Sequence, residues 1–395
     1  MSLIHNATFN SQTRILSLLD KAGNVISSCE VPSKSNEKYL TLTATEDNSS
    51  VALKEVGGLI ASHEYRKNGG SWTSNNGIRI TLNAGDRVEW RLTGGLGNIS
   101  SNKYVKFVMT GKIAASNPVA SMFGSVSDPT KVHGIAPHLF DGCTSLVQAP
   151  ELPATNLYKG CYAYMFKGCT GLTQAPELPA TELTESCYSY MFEGCTGLIQ
   201  APVLPATKLA NSCYSYMFKG CTGLTQAPVL PATKLYNSGS FANYCYDGMF
   251  SGCTSLVQAP ELPAKVIYSG CYRNMFSGCT SLTKAPELPA TTLAQDCYKF
   301  IFRDCTSLTK APALPATKLA DNCYWDMFNG CSKLKEVRIA ATTTAEYALV
   351  NWLSNVSPTG DFYCDPNATI FPTDSESGIP ANWTRHALAD YPVTP

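Results

Sequence analysis

Charge is scarce in this sequence, and what there is cancels. Lys plus Arg number 30 and Asp plus Glu number 30, which argues against a nucleic-acid protein, since such proteins carry a basic face. Only 15% of residues are charged, against about a quarter in ordinary domains, so the polar surface rests on Thr, Ser, Asn, Gln and Tyr. No apolar run approaches the roughly 18–20 residues that cross a bilayer. The start, MSLIHNATFN, lacks a charged head followed by an apolar stretch; it reads as a mature chain or a cytoplasmic one. Histidine is rare and scattered (His5, His63, His133, His138, His386). No GxSxG, HExxH, P-loop or GxGxxG occurs, so nothing marks an enzyme and no cofactor is expected.

What the chain has is a repeat. Residues 187–212 read CYSYMFEGCTGLIQAPVLPATKLANS, and CYSYMFKGCTGLTQAPVLPATKL follows at once. Phe140, Phe166, Phe192 and Phe218 are spaced by 26; Phe250 follows after 32; Phe276, Phe302 and Phe328 restore 26. A fixed period of this length marks a stack of units, each burying its apolar face against its neighbours. On a helical wheel of about 100° per residue, Cys187, Tyr188, Met191, Phe192 and Cys195 share one arc and Ser189, Tyr190 and Glu193 the other. That predicts a short half-buried helix ended by Gly194, with Leu198, Ala201 and Leu204 as the next inward points. The stretch LIQAPVLP is predicted extended, because the residue before each proline leaves the helical region.

The pattern LxxAPxLPAT followed by CYxxMFxGCTxL resembles the bacterial surface leucine-rich repeats of the BspA-like (Treponema-type) group, over roughly residues 119–345. The departures are MF in place of AF, the AP dipeptide, and a longer period. The expected fold is an α/β repeat solenoid, one short helix and one short strand per 26-residue unit, preceded by an all-β sandwich.

Fifteen of the 17 cysteines fall in two columns, one from Cys161 to Cys323 and one from Cys143 to Cys331, always eight apart within a unit. Eight helical residues rise about 12 Å, whereas a disulfide needs Cα atoms within about 7 Å. The columns therefore read as free thiols serving as small buried apolar groups, with disulfides or a metal site as rivals. No CxxC-type cluster suggests zinc, and no metal is expected. Reduced thiols suit a reducing or anaerobic setting.

Two proline columns (Pro150 to Pro312 and Pro153 to Pro315) each remove a ladder donor, so only two or three residues per unit are expected in β pairing. Between them lies the best surface candidate: a ladder of Gln148, Gln174, Gln200, Gln226 and Gln258, continued by Lys284 and Lys310, beside Glu151, Glu177, Val203, Val229, Glu261, Glu287 and Ala313. It reads either as a solvated face of stacked amides or as a strip for an extended glycan or peptide. Tyr164, Tyr190 and Tyr216 point outward on the wheel, as a stacking patch or as cover for a neighbouring helix. The insertion at residues 234–246, rich in Gly, Ser and Asn, reads as a bulging loop, functional or neutral.

Residues 1–118 alternate β-prone runs (RILSLL, KYLTLTATE, GIRITL, DRVEWRL, YVKFVM) with turn clusters, the pattern of an antiparallel β-sandwich. Its Trp72 and Trp90 are a candidate sugar platform or simply core. Residues 119–142 read as an imperfect first unit that caps the stack. Residues 346–395 read as the closing cap, in which Val337 and Ile339 precede it as a strand and EYALVNWLSNV forms a helix. The resemblance implies a non-enzymatic, monomeric cell-surface or secreted protein that mediates adhesion by binding a protein or glycan ligand. The alternatives are a glycan-binding accessory protein using the N-terminal module, and a hydrolase whose site carries no known motif.

Overall fold

The computed structural model describes residues 6–10, 15–19, 25–30, 39–57, 61–96, 102–123, 137–237, 240–373 and 376–391. The chain forms two compact units, residues 1–38 and 39–395. The first holds strands β1 (Asn6–Asn10), β2 (Ile15–Leu19) and β3 (Val25–Glu30), an antiparallel sheet in that order.

The second unit opens with two sheets. Strands β4 (Leu40–Ala44), β5 (Ser49–Val56), β6 (Ala61–Lys67), β7 (Thr73–Ser74), β8 (Ile80–Leu82), β9 (Arg87–Leu96), β10 (Tyr104–Thr110) and β11 (Ile113–Ser116) sort into them. One sheet has the order β10-β5-β8. The other runs β12-β11-β4-β9-β6-β7, where β12 (Leu146–Gln148) already belongs to the repeats. The coarse description of this region is two open, largely antiparallel sheets sharing a buried core that includes Leu42, Leu53, Val88, Trp90 and Phe107.

Both sheets hand over to the repeats. Strand β11 pairs parallel with β12, Ile113 opposite Leu146. On the outer edge of β10, the Phe107 N–H donates to the Leu139 carbonyl at 2.8 Å, and the Phe107 ring stacks on Phe140 at 5.3 Å. One apolar core then continues from Leu40 to Trp383.

The expected helices are not formed: among the described residues there is no α-helix, only two 3-10 turns at Val119–Phe123 and Leu388–Asp390. The segment CYSYMFEGC is instead a ribbon of tandem turns. Every second N–H bonds back three residues (Ser189 to Ser186, Met191 to Tyr188, Glu193 to Tyr190), and the N–H groups between donate to the next unit (Tyr188 to Cys213, Tyr190 to Ser215, Phe192 to Met217). Every fourth residue has positive φ: Ser186 55°, Tyr190 57°, Gly194 73°. Turns with positive φ at the third position give this path, and a helix does not. The two-in, two-out pattern of such a ribbon has a period of four, which over nine residues imitates 3.6. EYALVNWLSNV is corrected in the same way: Tyr347, Asn351 and Asn355 have positive φ, and Tyr324, Asp326 and Phe328 donate to Ala348, Val350 and Trp352. It is one more turn layer.

Stacking fills the core. Phenylalanines from Phe107 to Phe328 form one file with centroids 5.3–5.8 Å apart. Tyr162, Tyr188, Tyr214, Tyr246, Tyr272, Tyr298 and Tyr324 form a second, fully buried file. Each phenylalanine ring contributes about 1.5–3 kcal/mol through burial. The cysteines from Cys143 to Cys364 are free and buried.

On the extended side, pairing shrinks to single parallel bridges, Gln174 to Gln200 to Gln226 to Gln258 to Lys284. The prolines explain this, since they lack the N–H that a longer ladder needs. Strands β13 (Tyr236–Asn237) and β14 (Ser240–Phe241) form a hairpin within the insertion. Where the proline pair ends, β15 (Glu336–Arg338), β16 (Gly360–Cys364) and β17 (Trp383–Ala387) form a parallel sheet.

Candidate functional site

Two faces of the stack carry candidate sites. The first is the bridge face. Gln148, Gln174, Gln200, Gln226 and Gln258 are all exposed, and parallel bridges link the last four in a row. Glu151, Glu177, Glu261 and Glu287 are exposed beside it. In the middle of that row the acids give way to Val203, 81% exposed, and Val229, 79% exposed, with Ile199 and Val257 also exposed nearby. The backbone beneath is held by buried Leu178, Leu204, Leu230 and Leu262 and stiffened by the prolines.

The two tryptophans are not brought to this face. Trp90 is fully buried and packs edge-on to Phe107 at 5.3 Å, where no sugar reaches it. Trp72 is half-buried, with the Arg91 guanidinium 4.0 Å and that of Arg66 4.8 Å from its ring.

The second face lies on the turn layer, and sequence reading caught only one wall of it. Tyr104, His138, Tyr164, Tyr190 and Tyr216 stack in a file at 4.3, 4.5, 4.7 and 4.9 Å. The tyrosines read as a stacking patch or as cover for a neighbouring helix stack on one another. Beside the file runs a trough of about 820 Å³, within the usual range for ligand pockets. Its lining includes one repeat column of Ala163, Ser189 and Ser215 and another of Gly160, Ser186 and Ser212. In the next unit Tyr244 stands in the glycine–serine column, and Gly248 in the tyrosine column.

Asp247 and Arg273 close the same end. Arg273 donates from Nε and Nη2 to the Asp247 carboxylate at 3.3 and 3.2 Å, and Asn274 adds a third donor at 3.4 Å. Burial pushes the Asp247 carboxyl above its ordinary range despite the arginine. Arg273 also lies 5.3 Å from the Tyr244 ring centroid. Tyr244, Asp247 and Arg273 all follow the six-residue insertion, in the next two units; the break in register at Phe250 was the one signal for them. Among the described residues no group of three His, Cys, Asp or Glu side chains converges for a metal ion, and no helix is long and apolar enough to cross a membrane.

A family model described as "BspA type Leucine rich repeat region (6 copies)" matches residues 120–246 and 243–351, more than half of the chain. No curated protein and no solved structure matches it.

Proposed function

Because the chain belongs to the BspA-type leucine-rich repeat family, we propose that it is a non-enzymatic bacterial surface or secreted protein that mediates adhesion, binding a partner protein along the bridge face of its repeats. The observation that carries this is the pair Val203 and Val229, held almost fully exposed on a proline-stiffened backbone between acidic flanks. Exposed apolar groups rimmed by polar ones are a mark of protein interfaces, and a rigid surface loses little ordering entropy on binding. The residues 39–118 serve, in this reading, as a sandwich-like module that starts the stack. The rival reading, sugar binding by that module, has little to rest on with Trp90 inside the core and two arginines at Trp72. Hydrolysis of glycosides takes a pair of carboxylates; Asp247 is the one carboxylate among the residues lining the trough.

The test is capture of extracellular-matrix proteins by the full chain, compared with a Val203→Asp, Val229→Asp double variant. Both side chains are solvent-exposed, so folding is expected to be unaffected. Loss of affinity of about tenfold or more is expected. Equal capture by both proteins removes the bridge face as the binding site.

A further inference from the structure

We propose that the turn-layer trough is a second, separate site, which binds a linear, uncharged oligosaccharide lengthwise, with its leading sugar ring seated against Tyr244. Four observations lead there.

The backbone around the trough has no free edge. Ser186 donates to Asn211 and accepts from Ser189; Ser215 donates to Ser212 and accepts from Tyr190; Tyr216 donates to Asp247. Strand addition needs unpaired main-chain groups, so an extended peptide has nothing to pair with.

The charges at the trough are already matched. Arg273 is held by Asp247 and Lys159 by Glu185 at 2.8 Å, and the His138 ring hydrogen-bonds Asp141 at 2.8 Å. What remains for a ligand is hydroxyls: Ser186, Ser189, Ser212, Ser215 and the tyrosine rims. Ser189 donates its own proton to the Ser215 carbonyl, which leaves its oxygen as an acceptor. Such a lining matches a ligand rich in neutral hydroxyl groups and gives no counter-charge to an acidic or basic polymer.

The file of rings offers edges along the trough and one face at its end. Tyr164 and Tyr190 each have both faces covered by neighbours, and Tyr216 lies over Gly248, where an added Cβ would sit 2.2 Å from its ring. A polyproline segment wants aromatic faces along its groove and finds none. Tyr244 differs. Its ring lies over Gly270, where an added Cβ would come within 2.1 Å, and the preceding residue in its column is the small Ser212. Among the described residues no stacked ring covers its other side, and that side is assigned the leading sugar ring, with the paired Asp247 and Arg273 beside it.

The period also fits. Layers succeed each other at 4.5–4.9 Å along the file, comparable with the advance per residue of an extended pyranose chain. An extended peptide advances about 3.3 Å per residue and would drift out of register.

The experiment is calorimetric titration of the full chain with cellohexaose, laminarihexaose, xylohexaose and maltohexaose, beside a polygalacturonate hexamer and a proline-rich peptide. Variants are drawn from the chain's own repeats, so that each residue already occurs at that position: Tyr244→Gly, as at Gly160 and Gly270, and Ser189→Ala with Ser215→Ala, as at Ala163. At least one neutral hexasaccharide is expected to bind, with little salt dependence, and to lose about tenfold or more in affinity in each variant. The Val203→Asp, Val229→Asp protein should bind the sugar unchanged, so either site can fail without the other. The proposal is overturned if none of the four neutral sugars binds, if binding survives both trough variants, or if only the acidic hexamer or the peptide is held in a Tyr244-dependent way.

Discussion

Cys195 shows what a cysteine does in this core. Its thiol donates to the Phe166 carbonyl of the preceding unit at 3.0 Å, and Cys169, Cys221, Cys279 and Cys331 repeat the contact on Phe140, Phe192, Phe250 and Phe302. The side chain is small, apolar, and has one weak donor to spend on a carbonyl that already accepts the backbone N–H of the preceding unit's cysteine, Cys169 in this case. Burial pushes the Cys143, Cys161, Cys195, Cys253, Cys323 and Cys331 thiols up from 9.0 to about 12. The folded protein thus keeps protons that the unfolded chain releases above pH 9. The sign follows: stability is fully present below about pH 9 and falls as pH rises toward 12, because the unfolded state then binds fewer protons. Circular dichroism should show cooperative alkaline unfolding inside that window. At pH 8 a thiol reagent should leave the column cysteines of the native protein unmodified and react with them after guanidinium unfolding, since the thiolate is the nucleophile. Fast labelling of the native columns would contradict the burial argument.

The turn ribbon is where sequence and structure part. The repeat period, the inward columns of Phe, Met, Cys and Leu, and the proline-limited pairing were all legible, because each depends only on which residues recur. The helix was not, because Cys187, Tyr188, Met191, Phe192 and Cys195 fit a period of 3.6 and a period of four equally well. A better signal lay in residues that tolerate left-handed backbone: Gly270, Asn274 and Gly278 sit four apart with φ of 60°, 55° and 75°, and so many glycine and asparagine positions inside one short helix would be costly. Tyr190 holds the same conformation without glycine's freedom, at a cost of about 1–2 kcal/mol, with stacking on Tyr164 and Tyr216 to offset it. Two glycine substitutions separate backbone from packing. At Gly194 an added Cβ meets only ordinary contacts, 3.8 Å from Gly168, so Gly194→Ala should cost about 1–2 kcal/mol. At Gly248 the same methyl would also displace the Tyr216 ring, so Gly248→Ala should lower the urea midpoint more than Gly194→Ala does. The reverse order would mean that the ring file is loose.

At the scale of the molecule, the trough was illegible for a definite reason: it is made by an exception. Columns carry the architecture, whereas Tyr244, Gly248, Asp247 and Arg273 depart from theirs in the two units that follow the insertion, and only stacking reveals that these departures meet. The same logic governs what can be removed. In a stack, each unit contacts its neighbours alone, so stability is a sum of units and nearest-neighbour interfaces. Deleting residues 170–195 removes one full period and joins Cys169 to Thr196, recreating a junction of the kind the chain already has, and the shortened protein should fold with a sharp thermal transition. Deleting residues 1–118 is different. It strips β10 and β11 from the first layer, leaves the Leu139 carbonyl without the Phe107 N–H, and uncovers Leu139, Phe140 and Leu146, all fully buried in the intact chain. At about 1.5–3 kcal/mol per uncovered side chain plus an orphaned backbone acceptor, that loss is comparable with the whole stability of an ordinary domain. Size-exclusion chromatography of residues 119–395 should therefore show aggregate where the single-period deletion elutes as a discrete folded species. A well-behaved 119–395 fragment would show that the repeats close their own first layer and that the sheets before them serve some other end.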